Sequence, residues 1–456
     1  MVFSLQLPAM HIVIIGNGIA GITAARHIRK QSDHRITVIS GESDYFFSRT
    51  ALMYIYMGHM RFEDTKPYED WFWEKNRIER LRAWVTRIAP KEQQLHFDDG
   101  RTLSYDRLIV ATGSRPNKFG WPGQDAAGVS GLYHLQDLER MEQHSRGLKQ
   151  AVIVGGGLIG IEMAEMFHAR HIPVTFLVRE NSFWHNVLPA EESDMVNRHI
   201  KENGIDLRLG TELKEILTDA QGKVRAVVTT ANETITCGFV GLTAGVSPNI
   251  DFLKDSGIAL DRGVLVNNHL ETNIPGIFAV GDCAQLQQPQ DGRRSIEAIW
   301  YTGRMMGEVV GHNVVNESNK IGYNPGIWFN SAKFFDIEYQ VYGTVPAKAT
   351  PELPSIYWEH PAGRSSIRIV YDKATGSVKG FNLMGIRYRH EVCEKWLSLG
   401  TSVEEVLQHL GIANFDPEFY PQYEQELVNF YNQQTGRHLK LRQRRGLAGV
   451  LTFLKN

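Results

Sequence analysis

Two short stretches of the sequence place three glycines at the spacing G-x-G-x-x-G directly after an apolar run. They read HIVIIGNGIAG at residues 11–21 and AVIVGGGLIG at residues 151–160. In a turn from strand to helix, the first glycine permits the bend, the second lets a pyrophosphate approach the backbone, and the third lets the helix pack. Because the helix N-terminus then presents free N–H groups to the phosphates, each stretch predicts a dinucleotide-binding turn.

The residues after the first turn point to the same chemistry. A helical pattern and the strand RITVIS lead to Glu42, near the place where a carboxylate accepts hydrogen bonds from ribose hydroxyls. The alternative is a helix–strand packing motif that binds nothing, but strand, helix and acid follow in the expected order. The candidate cofactor-binding residues of the two turns are Gly16, Gly18, Ile19, Ala20, Gly21, Gly155, Gly157, Leu158, Ile159 and Gly160.

Two other apolar strands end in small or acidic residues. YDRLIVATGSRP (105–116) ends in Ala111, Thr112 and Gly113, where small side chains let the backbone approach a bound cofactor. IPGIFAVGDCA (274–284) ends in Gly281 and Asp282. A carboxylate at the carboxyl end of a strand, beside a glycine, suits a ligand rich in hydroxyl groups.

In this order, the motifs resemble those of the FAD-dependent pyridine nucleotide–disulfide oxidoreductases, over nearly the whole chain. The resemblance implies FAD at the first turn and at AVGDCA, and NAD(P)H at the second turn. It implies an α/β fold in which an NAD(P)H domain is inserted into a discontinuous FAD domain, both Rossmann-like, with a C-terminal α+β domain. The expected bounds are 1–117 and 246–320 for the FAD domain, 118–245 for the NAD(P)H domain, 321–436 for the C-terminal domain and 437–456 for a basic tail.

Disulfide reductases of this family carry redox cysteines on the helix after the FAD strand pair. Here that region, YFFSRTALMYIYMG at 45–58, contains no cysteine. A hydroxyl or a guanidinium cannot cycle electrons as a thiol does, so Ser48, Arg49 and Thr50 argue against disulfide reduction. Arg49 is either a phosphate contact to FAD or a surface charge, because arginine suits both roles.

The segment PGIWFNSAKFFDIEYQVYG (325–343) resembles a stretch of oxygenase-coupled ferredoxin reductases, rubredoxin reductases and apoptosis-inducing factor. In those proteins the stretch lies against the flavin, which implies that Trp328 and Phe329 lie near the isoalloxazine. Plain core packing explains most of the other aromatic residues there. Asn330 and Lys333 depart from the pattern and alter the immediate wall of the flavin.

The resemblance also implies a role for one residue of the helix that follows the second turn. Glu162, on the helix opened by the second turn, matches a family glutamate that positions the nicotinamide. Its alternative is a helix-surface glutamate that makes a local pair. Val85 and Gly245 are further candidate cofactor-binding residues.

The identity of the nucleotide depends on the end of the strand VTFLV (174–178). NADH enzymes usually show Glu or Asp there, whereas this chain has Arg179. A guanidinium can bind a 2′-phosphate in a bidentate way, which favours NADPH over NADH. The neighbouring Glu180 would repel the same phosphate, and a solvated surface residue is the alternative interpretation of Arg179.

The composition excludes several classes of protein and of binding partner. The chain has 456 residues, 42% hydrophobic and 22% charged, with a formal net charge of −2, so we expect several domains and no nucleic-acid partner. Its three cysteines lie far apart and form no CxxC, which argues against a disulfide framework or a metal site. No secretory signal and no apolar run long enough for a membrane span are evident, so the expected location is cytoplasmic.

Residues 437–456 carry six Lys or Arg and no acid, with Leu447, Val450, Leu451 and Leu454 at helical spacing. Such a basic amphipathic helix can lie on the inner face of an anionic membrane, where a quinone would be a credible acceptor. It can equally pack against its own protein or a second copy in a homodimer. Both interpretations stay open.

The function that the sequence predicts is an FAD-dependent NAD(P)H oxidoreductase. Hydride would pass from nicotinamide to flavin, and electrons would then pass to a ferredoxin-like or rubredoxin-like iron–sulfur protein. One alternative is a peripheral-membrane NAD(P)H:quinone oxidoreductase. The other is a non-enzymatic interaction protein that binds FAD and NAD(P)H and responds to redox state.

Overall fold

The computed structural model describes residues 9–290 and 292–442. Their contacts divide the chain into two compact units. The first comprises the described residues of Met1–Leu177 and Glu212–Pro325, and the second those of Val178–Thr211 and Gly326–Asn456. The predicted amphipathic stripe of the tail lies outside the described residues.

The bounds of the elements follow in chain order. The strands are β1 (His11–Ile15), β2 (Arg35–Ser40), β3 (Ile78–Arg82), β4 (Val85–Ala89), β5 (Gln94–Phe97), β6 (Thr102–Ser104), β7 (Arg107–Val110), β8 (Ser114–Pro116), β9 (Val129–Ser130), β10 (Ala151–Val154), β11 (Val174–Val178), β12 (Asp206–Leu209), β13 (Leu213–Thr218), β14 (Val224–Thr229), β15 (Thr234–Thr236), β16 (Phe239–Leu242), β17 (Val246–Pro248), β18 (Val264–Val266), β19 (Ile277–Ala279), β20 (Ala284–Leu286), β21 (Phe329–Phe334), β22 (Ile337–Gly343), β23 (Ser355–Glu359), β24 (Ser366–Tyr371) and β25 (Val378–Met384). The α-helices are α1 (Ile19–Gln31), α2 (Leu52–Tyr56), α3 (Trp71–Lys75), α4 (Leu135–Ser145), α5 (Leu158–Ala169), α6 (Ala190–Glu202), α7 (Trp300–Asn313), α8 (His390–Ser398), α9 (Val403–His409) and α10 (Glu424–Thr435).

The first unit is organised around a five-stranded parallel sheet in the order β19-β7-β1-β2-β3. Its central strands are continuous apolar runs whose residues are buried on both faces, as parallel sheets require. Helices α1 and α7 pack together, and Gly307 permits their close approach because a Cβ there would lie 2.5 Å from the Ala20 carbonyl oxygen. Because all five strands are parallel, their carboxyl ends meet at one edge of the sheet, which holds the site described below.

A second set of parallel strands in this unit has the order β11-β10-β16-β9. Strand β10 and helix α5 surround the second glycine turn in the same way as β1 and α1 surround the first. The predicted pair of parallel, Rossmann-like sheets is confirmed.

The second unit contains a five-stranded antiparallel sheet in the order β21-β22-β25-β24-β23. Apolar residues of the sheet and of α8, α9 and α10 form its core. The predicted α+β character of this C-terminal region is confirmed. No helix among the described residues combines the length and the apolar character that crossing a bilayer takes.

A buried ion pair fixes α6 to this sheet. The guanidinium of Arg368 donates to both carboxylate oxygens of Glu192 at 2.7 and 2.8 Å, and to Glu191 at 2.8 Å. Glu192 is fully buried and also accepts from Asn382 at 3.2 Å. A buried carboxylate that lost its partner would keep its desolvation cost without the compensating attraction.

We therefore expect Arg368→Met to destabilise the second unit by about 3–5 kcal/mol, measured as a lower melting temperature. Arg364→Met is the matched control because Arg364 is exposed and pairs with Asp336 at 2.9 Å. It should change the free energy of unfolding by less than about 1 kcal/mol. Equal effects of the two substitutions would contradict the importance of the buried pair.

Candidate dinucleotide site

The first glycine turn brings the backbone of β1 against the next strand of the sheet. Gly16 has φ +114°, and a Cβ there would lie 2.1 Å from the Ala111 carbonyl oxygen. A Cβ at Gly21 would lie 2.1 Å from the Gly16 carbonyl oxygen. Gly18 differs, because nothing lies within 4 Å of its Cβ position. Two glycines therefore serve packing, and the middle one leaves open space at the start of α1.

That open space belongs to a cavity of about 350 Å³ at the carboxyl edge of the first sheet. The residues that line this cavity come from segments that are far apart in the sequence and meet at this edge of the sheet. Of the predicted residues, the cavity is lined by Gly16, Gly18, Ile19, Ala20, Glu42, Arg49, Val85, Ala111, Thr112, Gly113, Gly281 and Asp282. The structure thus brings these twelve predicted residues around one cavity, and Gly21 lies just behind the turn.

Asp282 lines this cavity from the short 3₁₀ turn after β19. Its Oδ2 accepts hydrogen bonds from the Tyr133 hydroxyl at 3.0 Å and from the Ser114 hydroxyl at 3.1 Å. Burial raises the pKa of Asp282. The two hydroxyl donors show that this carboxylate is placed to accept from hydroxyl groups.

Glu42 and Arg49 form a bidentate ion pair in the wall of the cavity. Arg49 Nη1 and Nη2 donate to the two carboxylate oxygens at 2.8 and 2.6 Å. The Leu135 backbone N–H also donates to Glu42, at 2.8 Å. Burial opposes ionisation of Glu42, but the neighbouring His134 and Arg49 outweigh it and lower its pKa to about 2. Since His134 Nδ1 lies 3.7 Å away, Arg49 makes the direct bonds.

This arrangement settles one alternative that the sequence left open. Arg49 is not a solvated surface charge, since only 29% of its side chain is exposed. Its guanidinium lies 4.7 Å from the ring centroid of Tyr133 and donates to the Tyr133 carbonyl oxygen. A direct contact from Arg49 to phosphate stays a prediction.

The second glycine turn repeats the geometry of the first. Gly155 has φ +119°, and a Cβ there would lie 2.7 Å from the Thr243 backbone. A Cβ at Gly160 would lie 2.3 Å from the Gly155 carbonyl oxygen, while Gly157 has nothing within 4 Å. Leu158 and Ile159 open α5 and are half-buried.

Two other predicted residues of the first unit are Glu162 on α5 and Gly245, which follows β16. Glu162 is half-buried on α5. Gly245 has φ +88°, and its Cβ position lies 3.2 Å from the Asn117 side-chain amide nitrogen. Their contacts to a nucleotide stay predictions.

The remaining predicted residues lie in the second unit. Arg179 is 70% exposed and pairs with Glu180 at 2.9 Å. Trp328 precedes β21 and its carbonyl oxygen accepts from the Gly343 N–H at 2.7 Å. The Phe329 ring lies 4.4 Å from the His390 ring. The proposed places of these residues beside a flavin or a phosphate stay predictions.

The sequence did not single out several residues that line the cavity. They include Gly41, Trp84, Tyr133, His134, Asn249 and Gly303. Trp84 follows β3 and could have been found, because parallel strands end at the same edge of a sheet. Tyr133 and His134 carry no local signal, since the segment before α4 reaches the cavity only through tertiary packing.

All three cysteines are buried. Burial raises the pKa of Cys237 to about 12 and also raises the pKa of Cys283 and of Cys393. Reactive cysteines are instead partly exposed, with a depressed pKa that favours the thiolate. None of the three has the surroundings of a nucleophilic thiol.

A family model described as pyridine nucleotide-disulphide oxidoreductase matches residues 10–307. The chain is 30% identical over 319 residues to the biphenyl dioxygenase system ferredoxin–NAD(+) reductase component of Paraburkholderia xenovorans. That alignment covers 70% of this chain and 78% of the relative.

Two solved structures share the fold. A NAD-dependent persulfide reductase from A. fulgidus aligns with a TM-score of 0.80 at 21% identity, covering 96% of this chain and 89% of that one. The covalent putidaredoxin reductase–putidaredoxin complex aligns with a TM-score of 0.75 at 21% identity, covering 94% of this chain and 99% of that one.

The contrast between Gly16 and Gly18 generates a prediction. Gly18→Ala should leave the melting temperature within about 2 °C, because φ is −71° and the Cβ position is open. It should nevertheless weaken flavin uptake, measured as flavin absorbance of the purified protein, because the new methyl group narrows the approach to α1.

Gly16→Ala is the comparison variant and should lower the melting temperature strongly, since its Cβ would overlap the Ala111 carbonyl. Full flavin content in Gly18→Ala protein would contradict a ligand-facing role of Gly18.

Proposed function

Because the chain belongs to the pyridine nucleotide-disulphide oxidoreductase family, we propose that it is an NAD(P)H oxidoreductase that uses FAD to reduce a small iron–sulfur protein. The observation that carries the proposal is the cavity of about 350 Å³ at the carboxyl edge of the first sheet, where a glycine turn, a helix N-terminus and the Asp282 carboxylate converge. The chemistry that FAD supplies when bound is the exchange between two-electron nicotinamide chemistry and one-electron acceptors.

The residues of the cavity fit this cofactor. The open space at Gly18 admits a pyrophosphate to the start of α1, whose 13 residues direct their positive dipole end there. The Ser114 and Tyr133 hydroxyl groups hold the Asp282 carboxylate in the wall of the cavity, where a carboxylate can accept hydrogen bonds from the hydroxyl groups of the ribityl chain. Glu42, ionised through its pair with Arg49, lies after β2, where it can accept from the adenosine ribose.

We place the nicotinamide nucleotide on the second glycine turn, by the same reasoning. Gly157 leaves open space at the start of α5, as Gly18 does at α1. Glu162 follows on α5 as the positioning residue for the nicotinamide ring. Trp328 and Phe329 form part of the wall of the flavin in this proposal.

The proposed electron acceptor is an iron–sulfur protein. Two similarities support it: the Paraburkholderia relative is named as a ferredoxin–NAD(+) reductase component, and one structure of the same fold is a reductase in complex with putidaredoxin. Such a partner docks transiently, so its contact should be small and polar.

We further propose that the reaction has no thiol step. The persulfide reductase shares the fold, but residues 45–58 of this chain, the region after β2, contain no cysteine. The three cysteines present are buried, and burial raises the pKa of each.

Anaerobic reduction followed by acceptor exchange tests the function. NADPH or NADH should bleach the flavin absorbance of the purified protein. A [2Fe–2S] ferredoxin should then restore it faster than oxidised glutathione, a water-soluble quinone or oxygen. A triple alanine variant of Cys237, Cys283 and Cys393 should give the same rates.

Asp282→Asn is the control variant that should not retain FAD. It should purify nearly colourless, because it lacks the carboxylate proposed to bind the ribityl chain. Slow restoration by every iron–sulfur protein would refute the proposed acceptor. Loss of turnover in the triple cysteine variant, with flavin still bound, would refute the absence of a thiol step.

Arg179 gives the prediction on nucleotide preference. Arg179→Glu should lower the ratio of kcat/KM for NADPH over NADH by roughly 10-fold or more, since it replaces a phosphate ligand by a repelling charge. Arg208→Glu is the matched control, because Arg208 is exposed and pairs with the nearby Asp206 at 2.7 Å. If both variants keep the original ratio, Arg179 does not contact the 2′-phosphate.

A further inference from the structure

Trp84 stands at the edge of the cavity in a position fixed by the backbone. It lies between β3 and β4, two residues after Arg82. The Ala83 N–H donates to the Ser40 carbonyl oxygen at 3.2 Å, and the Asp98 N–H donates to the Trp84 carbonyl oxygen at 3.1 Å. These bonds tie the segment to the end of β2 on one side and to the β5–β6 connection on the other.

The indole lies on the backbone of Gly41. A Cβ at Gly41 would meet Cδ2 and Cε2 of the Trp84 ring at 2.3 and 2.4 Å, so any other residue there would displace the ring. Yet Trp84 remains 54% exposed although it lines the cavity. Among the described residues, no aromatic ring or cation stacks on this indole. A large aromatic surface is thus held in place beside the cavity without a partner of its own.

The strand order identifies which part of a dinucleotide reaches this surface. Along the carboxyl edge, Asp282 follows β19, Gly16 follows β1, Glu42 comes just after β2, and Trp84 comes just after β3. A pyrophosphate at the glycine turn and a ribose at the acid after β2 leave the base at the next strand. That strand is β3, and the flavin half extends in the opposite direction, toward Asp282.

We propose that the Trp84 indole stacks on the adenine of FAD and makes the site select FAD over FMN, an inference that rests on the proposed function. A purine on an indole face gains dispersion and stacking energy without a hydrogen bond. FMN lacks the adenosine half and cannot use this surface.

Reconstitution of the apoprotein tests the contact. Trp84→Ala should weaken FAD binding by roughly 10-fold to 100-fold, measured by flavin fluorescence. Competition by ADP, which carries the adenine but no flavin, should weaken in parallel. Binding of FMN should change by less than about twofold, and Trp84→Phe should retain most of the affinity for FAD.

Trp71→Ala is the matched control because Trp71 is 58% exposed in the same unit and does not line the cavity. It should leave all three affinities unchanged. Unchanged FAD affinity in Trp84→Ala, or equal losses for FAD and FMN, would overturn the stacking contact. Wild-type protein that takes up no FAD would instead refute the proposed function.

A double-mutant cycle gives an independent test. Gly41→Ala should displace the indole and weaken FAD as strongly as Trp84→Ala does. In the Trp84→Ala background, the same Gly41→Ala change should have little further effect, because the ring that it would strike is gone. Additive losses would show that Gly41 and Trp84 act separately, and would overturn the inference.

Discussion

The close approach of two backbones at each glycine turn is the constraint on which the rest of the structure depends. At Gly16 and at Gly155 the turn passes so near the neighbouring strand that a Cβ would overlap the backbone of Ala111 or Thr243. This contact fixes where each strand stops and where its helix begins. The helix N-terminus is thereby held over the carboxyl edge of the sheet, and the middle glycine of each turn remains open to a ligand.

The charges of the first site depend on one another. Arg49 lies near two carboxylates, Glu42 and Asp282, that burial would otherwise disfavour in their ionised form. Glu42 receives direct bidentate bonds from it and stays ionised, with a low pKa. Asp282 is held by two hydroxyl groups and has a raised pKa. The two carboxylates of the cavity wall therefore differ: burial decides the direction of the pKa shift at Asp282, whereas the neighbouring His134 and Arg49 decide it at Glu42.

Most of the fold and much of the site could be predicted from the sequence, because their signals are local. A run of buried β-branched residues, three spaced glycines and a helical pattern lie within 15 residues, and backbone sterics allow few other conformations. The strand ends at Thr112 and Asp282 were found in the same way. The family resemblance then predicted two Rossmann-like domains, and the two sets of parallel strands in the structure confirm that fold.

What the sequence alone determined is therefore part of the backbone plan: six of the segments that form parallel strands, the two turns at which a strand gives way to a helix, and the glycines that those turns need. Only the tertiary structure decided which side chains meet at the edge of the sheet. The bond between the Leu135 N–H and Glu42 spans 93 residues of chain, and the bond between Tyr133 and Asp282 spans 149. No local pattern records such pairs, because packing of whole elements, and not the conformation of neighbouring residues, brings them within hydrogen-bond distance.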